Sequence, residues 1–178
     1  MSKRGNIFLV GPMGAGKTTL GRALAKLRGL RFVDSDHDIE QRCGVDIPCI
    51  FELEGEAGFR KRERGAIAVL TRESGIVLAT GGGAVLDAQS RRNLADNGLV
   101  VYLLASVEQQ LARTRGSTHR PLLKTPNPRE RLEILLAQRD PLYREIADLV
   151  IPTHGRQLRR MAQQVNQAIE AHLAETSA

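Results

Sequence analysis

A glycine-rich loop near the start of the chain has the residue types that bind a polyphosphate. Residues 11–18, GPMGAGKT, fit the pattern G-x-x-x-x-G-K-[ST]. Its glycines let the backbone curl so that N–H groups can point at phosphate oxygens. Lys17 can reach the β- and γ-phosphates, and the Thr18 hydroxyl can ligate Mg²⁺. The predicted nucleotide contacts in this stretch are Gly14, Ala15, Gly16, Lys17, Thr18 and Thr19.

Two carboxylates follow the next apolar segment. Residues 31–33 are predicted to form a short strand, and Asp34-Ser35-Asp36 comes directly after it. One carboxylate there could belong to the magnesium shell, and the other could accept a hydrogen bond from an attacking hydroxyl. The alternative is structural, because Asp36 also stands where a residue capping the next helix would stand.

A run of three glycines, Gly81-Gly82-Gly83, follows a third apolar segment at residues 76–79. Glycines allow a backbone to approach a ligand closely and to offer its N–H groups. A loose surface loop is the alternative. Because three glycines carry a large entropy cost on folding, we favour a binding role.

The arginines indicate an anionic ligand. The net charge is +6 and the isoelectric point is about 9.9, which favours negatively charged partners. Aromatic residues make up only 3% and tryptophan is absent, so a platform that stacks nucleic-acid bases is not expected. Spacing alone does not separate Arg60 or Arg139 from ordinary surface arginines. Residues 116–121, GSTHRP, are predicted to form a mobile flap that could bring a cation to the transferred phosphoryl group.

Short apolar segments alternate with amphipathic ones along the whole chain. Strands are predicted at 7–10, 31–33, 76–79, 99–104 and 149–151, and helices at 17–28, about 56–73, 88–97, 107–114, 128–146 and from about 156. Strands that are apolar on both faces and separated by helices indicate a parallel sheet covered by helices. The sequence therefore predicts one α/β domain of three layers, in which ligands bind beyond the carboxyl ends of the strands.

Other classes of protein are excluded or disfavoured. The chain lacks the guanine-reading pattern N-K-x-D of GTPases, and 178 residues are too few for a large nucleotide-driven machine. No apolar run approaches the ~20 residues of a membrane span, and the first apolar stretch is too short for a signal peptide. We expect a cytoplasmic protein, monomeric because no apolar helix is left over for an interface. Cys43 and Cys49 are expected to be packing residues.

Together these stretches closely resemble the shikimate kinases, which are related to nucleoside monophosphate kinases. The resemblance rests on GPMGAGKT at 11–18, DSD at 34–36, IFE at 50–52 leading into GE at 55–56 and FR at 59–60, TGGG at 80–83, RPLL at 120–123 and RDPLY at 139–143. It implies a P-loop fold like that of the nucleoside monophosphate kinases. It also implies transfer of the ATP γ-phosphoryl to the 3-hydroxyl of shikimate, with Mg²⁺ as cofactor.

The resemblance also implies roles for single residues. Asp36 would bind the ring hydroxyls and is a candidate base, while Arg60 and Arg139 would hold the carboxylate. Gly82, with its neighbours Gly81 and Gly83, would offer backbone N–H groups. The remaining assignments are Asp34 near the magnesium shell, Arg120 as the lid arginine that reaches the phosphates, and Arg113 and Gln157 beside the adenine. The acceptor-binding segment would be about 34–62 and the mobile lid about 114–125.

Other interpretations differ in the acceptor or in the class of protein. A regulatory P-loop protein without turnover is disfavoured, because the lysine, both aspartates and the arginines are all present. The chain could phosphorylate another small acceptor, such as gluconate or a nucleoside monophosphate. Alternatively, its positive charge could serve a nucleotide-dependent protein that binds nucleic acid.

Overall fold

The structure is a computed structural model that describes residues 5–115, 120–153 and 157–177. The strands are β1 (Ile7–Val10), β2 (Arg31–Asp34), β3 (Ile76–Ala79), β4 (Leu99–Leu104) and β5 (Leu149–Pro152). The helices are α1 (Lys17–Arg28), α2 (Ser35–Cys43), α3 (Ile47–Leu70), α4 (Ala88–Asn97), α5 (Val107–Thr114), α6 (Pro128–Ile146) and α7 (Leu158–Ser177). Short 3₁₀ turns occupy Ala84–Leu86 and Pro121–Leu123.

The five strands form one parallel sheet in the order β2-β3-β1-β4-β5. The first strand lies at its centre, where Ile7 pairs with Val77 on one side and with Leu99 on the other. Strands β2 and β3 thus lie on one side of β1, and β4 and β5 lie on the other. Ligands in such sheets bind at the carboxyl edge where the strand order reverses, which here is the end of β1. The predicted five-stranded parallel sheet is confirmed.

Helices cover both faces of the sheet, as the sequence predicts. On one face, Leu20 and Leu24 of α1 and Val165 of α7 pack against the strands. On the other face, Ile67 of α3 and Leu94 of α4 do so, together with residues of α6. A smaller apolar cluster joins α2 to α3 through Ile39, Ile47, Ile50, Phe59 and Ala66. This third cluster carries the chain segment that follows the two carboxylates.

The helix predicted at about 56–73 both begins and ends at earlier residues than expected. It begins at Ile47, where Asp46 accepts a hydrogen bond from the N–H of Cys49, and it ends at Leu70. Gly55 interrupts it with φ 68° and ψ −177°, a conformation that glycine adopts without steric cost. The sequence pattern thus located the half after this break and missed the half before it. The helices predicted at 17–28, 88–97, 107–114 and 128–146 are confirmed.

None of the helices described is both long enough and apolar enough to pass through a bilayer. The apolar segments of the described chain are instead accounted for by the sheet and by the helix faces that cover it.

The buried side chain of Asn6 connects the amino ends of three strands, at the end of the sheet opposite the glycine-rich loop. The Nδ2 group of Asn6 donates to the carbonyl of Glu73 at 2.7 Å and to that of Asn97 at 3.3 Å, while its Oδ1 accepts from the N–H of Ile76 at 3.1 Å. This side chain is 1% exposed, so it links the starts of β1, β3 and β4 away from water.

We expect Asn6→Ala to destabilise the fold without changing the site. Buried polar groups that lose their partners cost about 1–3 kcal/mol each, so the free energy of unfolding in urea should fall by roughly 2 kcal/mol or more. The dissociation constant of a nucleotide bound at the glycine-rich loop should stay at its wild-type value, because the substitution lies at the opposite end of the sheet. An unchanged free energy of unfolding would contradict this role of Asn6.

Candidate active site

The glycine-rich loop connects β1 to α1 and needs glycine at defined points. Gly11 has φ 144°, and a Cβ there would lie 2.6 Å from the carbonyl oxygen of Leu103. Gly14 and Gly16 have φ values of 77° and 88°, in the left-handed region where other residues are strained. The loop therefore wraps closely over the end of the sheet, and α1 begins directly beyond it with its positive end toward the loop.

Lys17 lies folded over this loop. Its Nζ donates to the carbonyls of Gly11 at 2.7 Å and Pro12 at 2.8 Å. Burial lowers the pKa of this amine to about 8, although the nearby carboxylate of Asp36 opposes the shift. An ammonium group held this way has little solvent around it. Its attraction to phosphate oxygens bound at the loop would therefore be stronger than in water.

The first of the two carboxylates connects the loop to α2. Asp34 Oδ2 accepts a hydrogen bond from the Thr18 hydroxyl at 2.7 Å, and Oδ1 accepts from the N–H groups of Asp36 at 3.0 Å and His37 at 3.3 Å. Asp34 therefore caps α2, and the alternative that Asp36 is the cap is wrong. The cap falls two positions before the expected one, because α2 begins at Ser35, directly after β2 ends.

Thr18 and Asp34 together suit a hard divalent cation. Both offer oxygen atoms, and magnesium is usually held in nucleotide sites by one or two protein oxygens, with phosphates and waters supplying the rest. Among the described residues, no group of three or more His, Cys, Asp or Glu side chains is placed to hold a metal ion. Thr18 and Asp34 thus suit a magnesium ion that is also bound by a nucleotide, and not a metal ion held by protein side chains alone.

The cap at Asp34 leaves the carboxylate of Asp36 free to face the site. Asp36 Oδ1 is buried and has no hydrogen-bond partner within the described chain. Burial raises the pKa of this carboxyl to about 7, and the neighbouring acids Glu63 and Asp34 add to the rise. A carboxylate with a pKa near neutrality can both accept and release a proton, as a general base must.

Two clefts meet beside Asp36. One, of about 680 Å³, runs along the glycine-rich loop, Thr18 and Thr19 toward Arg113 and Gln157. The other, of about 490 Å³, lies between α3 and α6. Five residues line both clefts: Met13, Asp36, Gly81, Gly82 and Arg120. The shared boundary is where a group could pass from a ligand in one cleft to a ligand in the other.

Two arginines and a glutamate form the charged wall of the smaller cleft. Arg60 Nη1 donates to Glu63 Oε2 at 2.6 Å, and Arg139 lies near both of them. Glu63 and Arg139 are each only 3% exposed, and Glu63 Oε1 and Arg139 Nε have no partner within the described chain. Burial raises the pKa of Glu63 and lowers that of Arg139. Buried charged groups with unused hydrogen-bonding atoms favour a charged ligand.

The three glycines allow these charged groups to approach the main chain. A Cβ on Gly81 would lie 2.7 Å from Asp36 Oδ1 and 2.5 Å from Glu63 Oε1, and a Cβ on Gly83 would overlap the guanidinium of Arg60. The structure therefore explains the glycines by close packing around the site. The alternative of a loose surface loop does not fit, because Gly81 and Gly83 are buried.

The other predicted residues also line the clefts. Arg120 lines both, and the 3₁₀ turn Pro121–Leu123 follows it. Arg113 Nη1 donates to the carbonyl of Gly14 at 2.9 Å, and Gln157 lies across the larger cleft. Residues 116–119, in the middle of the expected lid at 114–125, lie outside the described residues. All the other predicted site residues converge on these two clefts.

The comparisons with known proteins agree with this arrangement. A family model described as shikimate kinase matches residues 13–170. The shikimate kinase of Methylococcus capsulatus is 57% identical over 170 residues, which are 96% of this chain and 95% of that protein. This chain belongs to the shikimate kinase family. The shikimate kinase of Thiobacillus denitrificans is 62% identical over 153 residues, or 86% of this chain and 84% of that protein.

A solved member of the family has the same fold. The structure of shikimate kinase from Acinetobacter baumannii in complex with shikimate matches with a TM-score of 0.92 at 53% identity, covering 94% of this chain and 93% of that one. The predicted resemblance is therefore confirmed, as is an α/β fold like that of the nucleoside monophosphate kinases. A shikimate kinase is an ATP-dependent phosphotransferase, so the prediction of a small kinase is confirmed as well.

Sequence reasoning missed several residues of the shikimate kinase site. Glu63 is the main one, and its only signal is the spacing of three from Arg60, which puts both on one face of a helix. The apolar wall of the smaller cleft was also missed, because apolar residues in an α/β chain are normally assigned to the core. That wall is formed by Met13, Ile47, Phe51, Phe59, Pro121 and Leu122.

We expect Asp36→Asn to stabilise the unliganded protein, and to do so more at pH 8 than at pH 5. The folded pKa of Asp36, about 7, is above the unfolded value of about 3.9. The folded state therefore prefers the protonated acid, and stability is lost as pH rises between these two values. Asparagine removes this loss, so the gain in unfolding free energy should be on the order of 2 kcal/mol larger at pH 8.

Urea unfolding of both proteins at pH 5 and pH 8 measures this difference. Asp96→Asn, at an exposed position of α4, is the matched control and should show the same small effect at both pH values. A gain from Asp36→Asn that does not depend on pH would mean that this carboxyl titrates normally.

Proposed function

We propose that this chain transfers the γ-phosphoryl group of ATP to the 3-hydroxyl of shikimate, giving shikimate 3-phosphate and ADP. The observation that carries the proposal is the junction of the two clefts at Asp36 and Arg120. One cleft has the phosphate-binding loop, and the other has two arginines suited to a carboxylate. Family membership supports shikimate as the acid that fills the second cleft.

ATP would lie in the larger cleft with its phosphates on the loop. Backbone N–H groups of the loop and Lys17 would hold the β- and γ-phosphates. Arg113 and Gln157, farther along the same cleft, would lie beside the adenine. Thr18 and Asp34 would hold Mg²⁺, which when bound would neutralise charge on the β- and γ-phosphates.

Shikimate would lie in the smaller cleft with its carboxylate toward the arginines. A guanidinium presents parallel N–H groups that match the two oxygens of a carboxylate, and Arg60 and Arg139 both line this cleft. The carbocyclic ring would lie against the apolar wall near Phe51 and Phe59. This orientation would direct the ring hydroxyls at Asp36, at the junction with the nucleotide cleft.

The residues at the junction would assist the transfer by position and charge. Asp36 would accept the hydrogen bond of the attacking 3-hydroxyl and take its proton, since a carboxyl with a pKa of about 7 suits that role. Lys17 and Arg120 would stabilise the charge that is spread over the phosphoryl oxygens in a loose transition state. Every residue in this scheme belongs to one chain, so we also propose that the monomer is sufficient for activity.

A coupled assay of ADP release tests the proposed reaction. We expect ADP and one equivalent of a shikimate phosphate ester when ATP, Mg²⁺ and shikimate are all present, and only slow ADP release without an acceptor. Gluconate and AMP should not support turnover, because gluconate lacks the ring and AMP lacks the carboxylate that this cleft fits. Faster turnover with either of these acceptors would contradict shikimate as the substrate.

Arg60→Ala and Arg139→Ala should each weaken shikimate binding selectively. Hydrogen bonds to charged groups contribute about 1.5–3 kcal/mol, so the KM for shikimate should rise by roughly ten- to a hundredfold. The KM for ATP should change by no more than about threefold, because the nucleotide lies in the other cleft. Steady-state kinetics with each substrate varied in turn measures both constants.

Arg64→Ala is the matched control for these variants. Arg64 lies one turn beyond Arg60 on α3, is half exposed and pairs with Asp87 across 3.6 Å. Its removal should leave both KM values unchanged. Equal losses for shikimate and ATP in Arg60→Ala or Arg139→Ala would refute the assignment of these arginines to the carboxylate.

A further inference from the structure

The chain contains two tyrosines and no tryptophan, and the two tyrosines lie against each other behind the smaller cleft. Tyr102 on β4 and Tyr143 on α6 are both fully buried. Their ring centroids are 4.9 Å apart, with an angle of 33° between the ring planes. Each therefore needs a partner for its hydroxyl, because an unpaired buried hydroxyl is costly.

The two hydroxyls have different partners. Tyr102 donates to Asp140 Oδ1 at 2.7 Å, and the other oxygen of Asp140 pairs with Arg144 at 2.8 Å. Tyr143 donates to the carbonyl oxygen of Gly82 at 2.5 Å. The hydroxyl of Tyr102 thus joins the sheet to α6, whereas that of Tyr143 joins α6 to the glycine loop of the acceptor cleft.

The bond from Tyr143 fixes the direction of a peptide group in that loop. Peptide bonds of the described chain are trans, so the N–H of Gly83 points opposite to the carbonyl of Gly82 and away from Tyr143. No acceptor for the N–H groups of Gly82 or Gly83 is present among the described residues. A run of glycines leaves the orientation of its peptide groups largely free. The hydrogen bond from Tyr143 therefore fixes the orientation of the Gly82–Gly83 peptide group, which the loop sequence alone does not.

Tyr143 also lies one turn from Arg139 on the same helix. The Tyr143 hydroxyl and the Arg139 guanidinium are near enough that each shifts the pKa of the other. Arg139 Nη1 would be 3.4 Å from a Cβ on Gly82, so the guanidinium lies directly against the glycine whose carbonyl Tyr143 holds. One hydroxyl is therefore in contact with two elements of the proposed carboxylate site.

We propose that Tyr143 is a positioning residue for the acceptor acid. Its hydroxyl holds the Gly82 carbonyl away from the ligand and fixes Arg139, so that the loop N–H groups and the guanidinium face the carboxylate together. Tyr143 itself lines neither cleft, so it acts through these groups and not by contact. The inference rests on the proposed function, since it takes shikimate as the ligand.

Tyr143→Phe and Tyr102→Phe form a matched pair that tests this role. Each keeps its buried ring and loses one hydroxyl. We expect Tyr143→Phe to raise both the dissociation constant of shikimate, measured by calorimetry, and its KM by roughly tenfold. The KM for ATP should change less than about twofold. Tyr102→Phe should leave all these constants near the wild-type values, although both variants lose thermal stability.

Nuclear magnetic resonance of the tyrosine ring carbons provides a second measurement that does not need the Tyr143 variant. Protein labelled with ¹³Cζ-tyrosine should give two resonances, and Tyr102→Phe assigns the one that remains to Tyr143. Saturation with shikimate should shift the Tyr143 resonance more than that of Tyr102. A similar or smaller shift of the Tyr143 resonance would contradict the proposal.

The outcomes separate this inference from the function on which it rests. If wild-type protein neither binds nor phosphorylates shikimate, the proposed function fails and the positioning role fails with it. If wild-type protein is active and Tyr143→Phe lowers only the melting temperature, with the shikimate constants unchanged, the hydroxyl is merely structural. The inference alone is then overturned.

Discussion

Charged groups that lack a full set of partners are held out of water at the carboxyl edge of the sheet. Asp36, Glu63 and Arg139 each have a buried atom without a hydrogen bond inside the described chain, and Lys17 bonds only to carbonyls of its own loop. Such groups are costly in a folded protein. In the proposed complex, the phosphate tail and the carboxylate of the two ligands would pair with Lys17 and Arg139, and a ring hydroxyl would donate to Asp36. The cost is therefore consistent with a binding site.

The rest of the fold keeps these groups in place. The central strands β1 and β3 are entirely buried and apolar, so their carboxyl ends form a rigid base for the loops that follow. Close contact is possible only where side chains are absent, as at Gly11, Gly81 and Gly83. Behind the smaller cleft, the tyrosine pair anchors α6 to the sheet and to the glycine loop. Rigid elements of this kind hold charges at fixed distances, as phosphoryl transfer requires.

The parts of the site that are local in sequence could be predicted from it. The phosphate-binding loop is one contiguous motif with a strand before it and a helix after it. The acids at 34–36 and the glycines at 81–83 follow buried strands, and the topology of a parallel sheet brings such positions together. The three layers and most helix boundaries could also be predicted, because the alternation of apolar and amphipathic segments is local in the sequence.

The charged wall of the smaller cleft could not be derived from spacing. Arg60 and Arg139 come from different helices, and their approach depends on how α3 and α6 pack on the sheet, which no local pattern encodes. Only the resemblance to a known family selected them, and neither approach selected Glu63. The predicted helix began directly after Gly55, and the helical segment from Ile47 to this glycine was missed, because a short apolar run does not distinguish a helix from a strand.

A crystal structure with ADP and shikimate bound tests the central claim most directly. The account predicts the shikimate carboxylate within hydrogen-bonding distance of the guanidinium groups of Arg60 and Arg139. It also predicts a ring hydroxyl at Asp36 and the β-phosphate in the loop at 11–18. Shikimate bound outside this cleft, or with its carboxylate turned away from both arginines, would contradict the account.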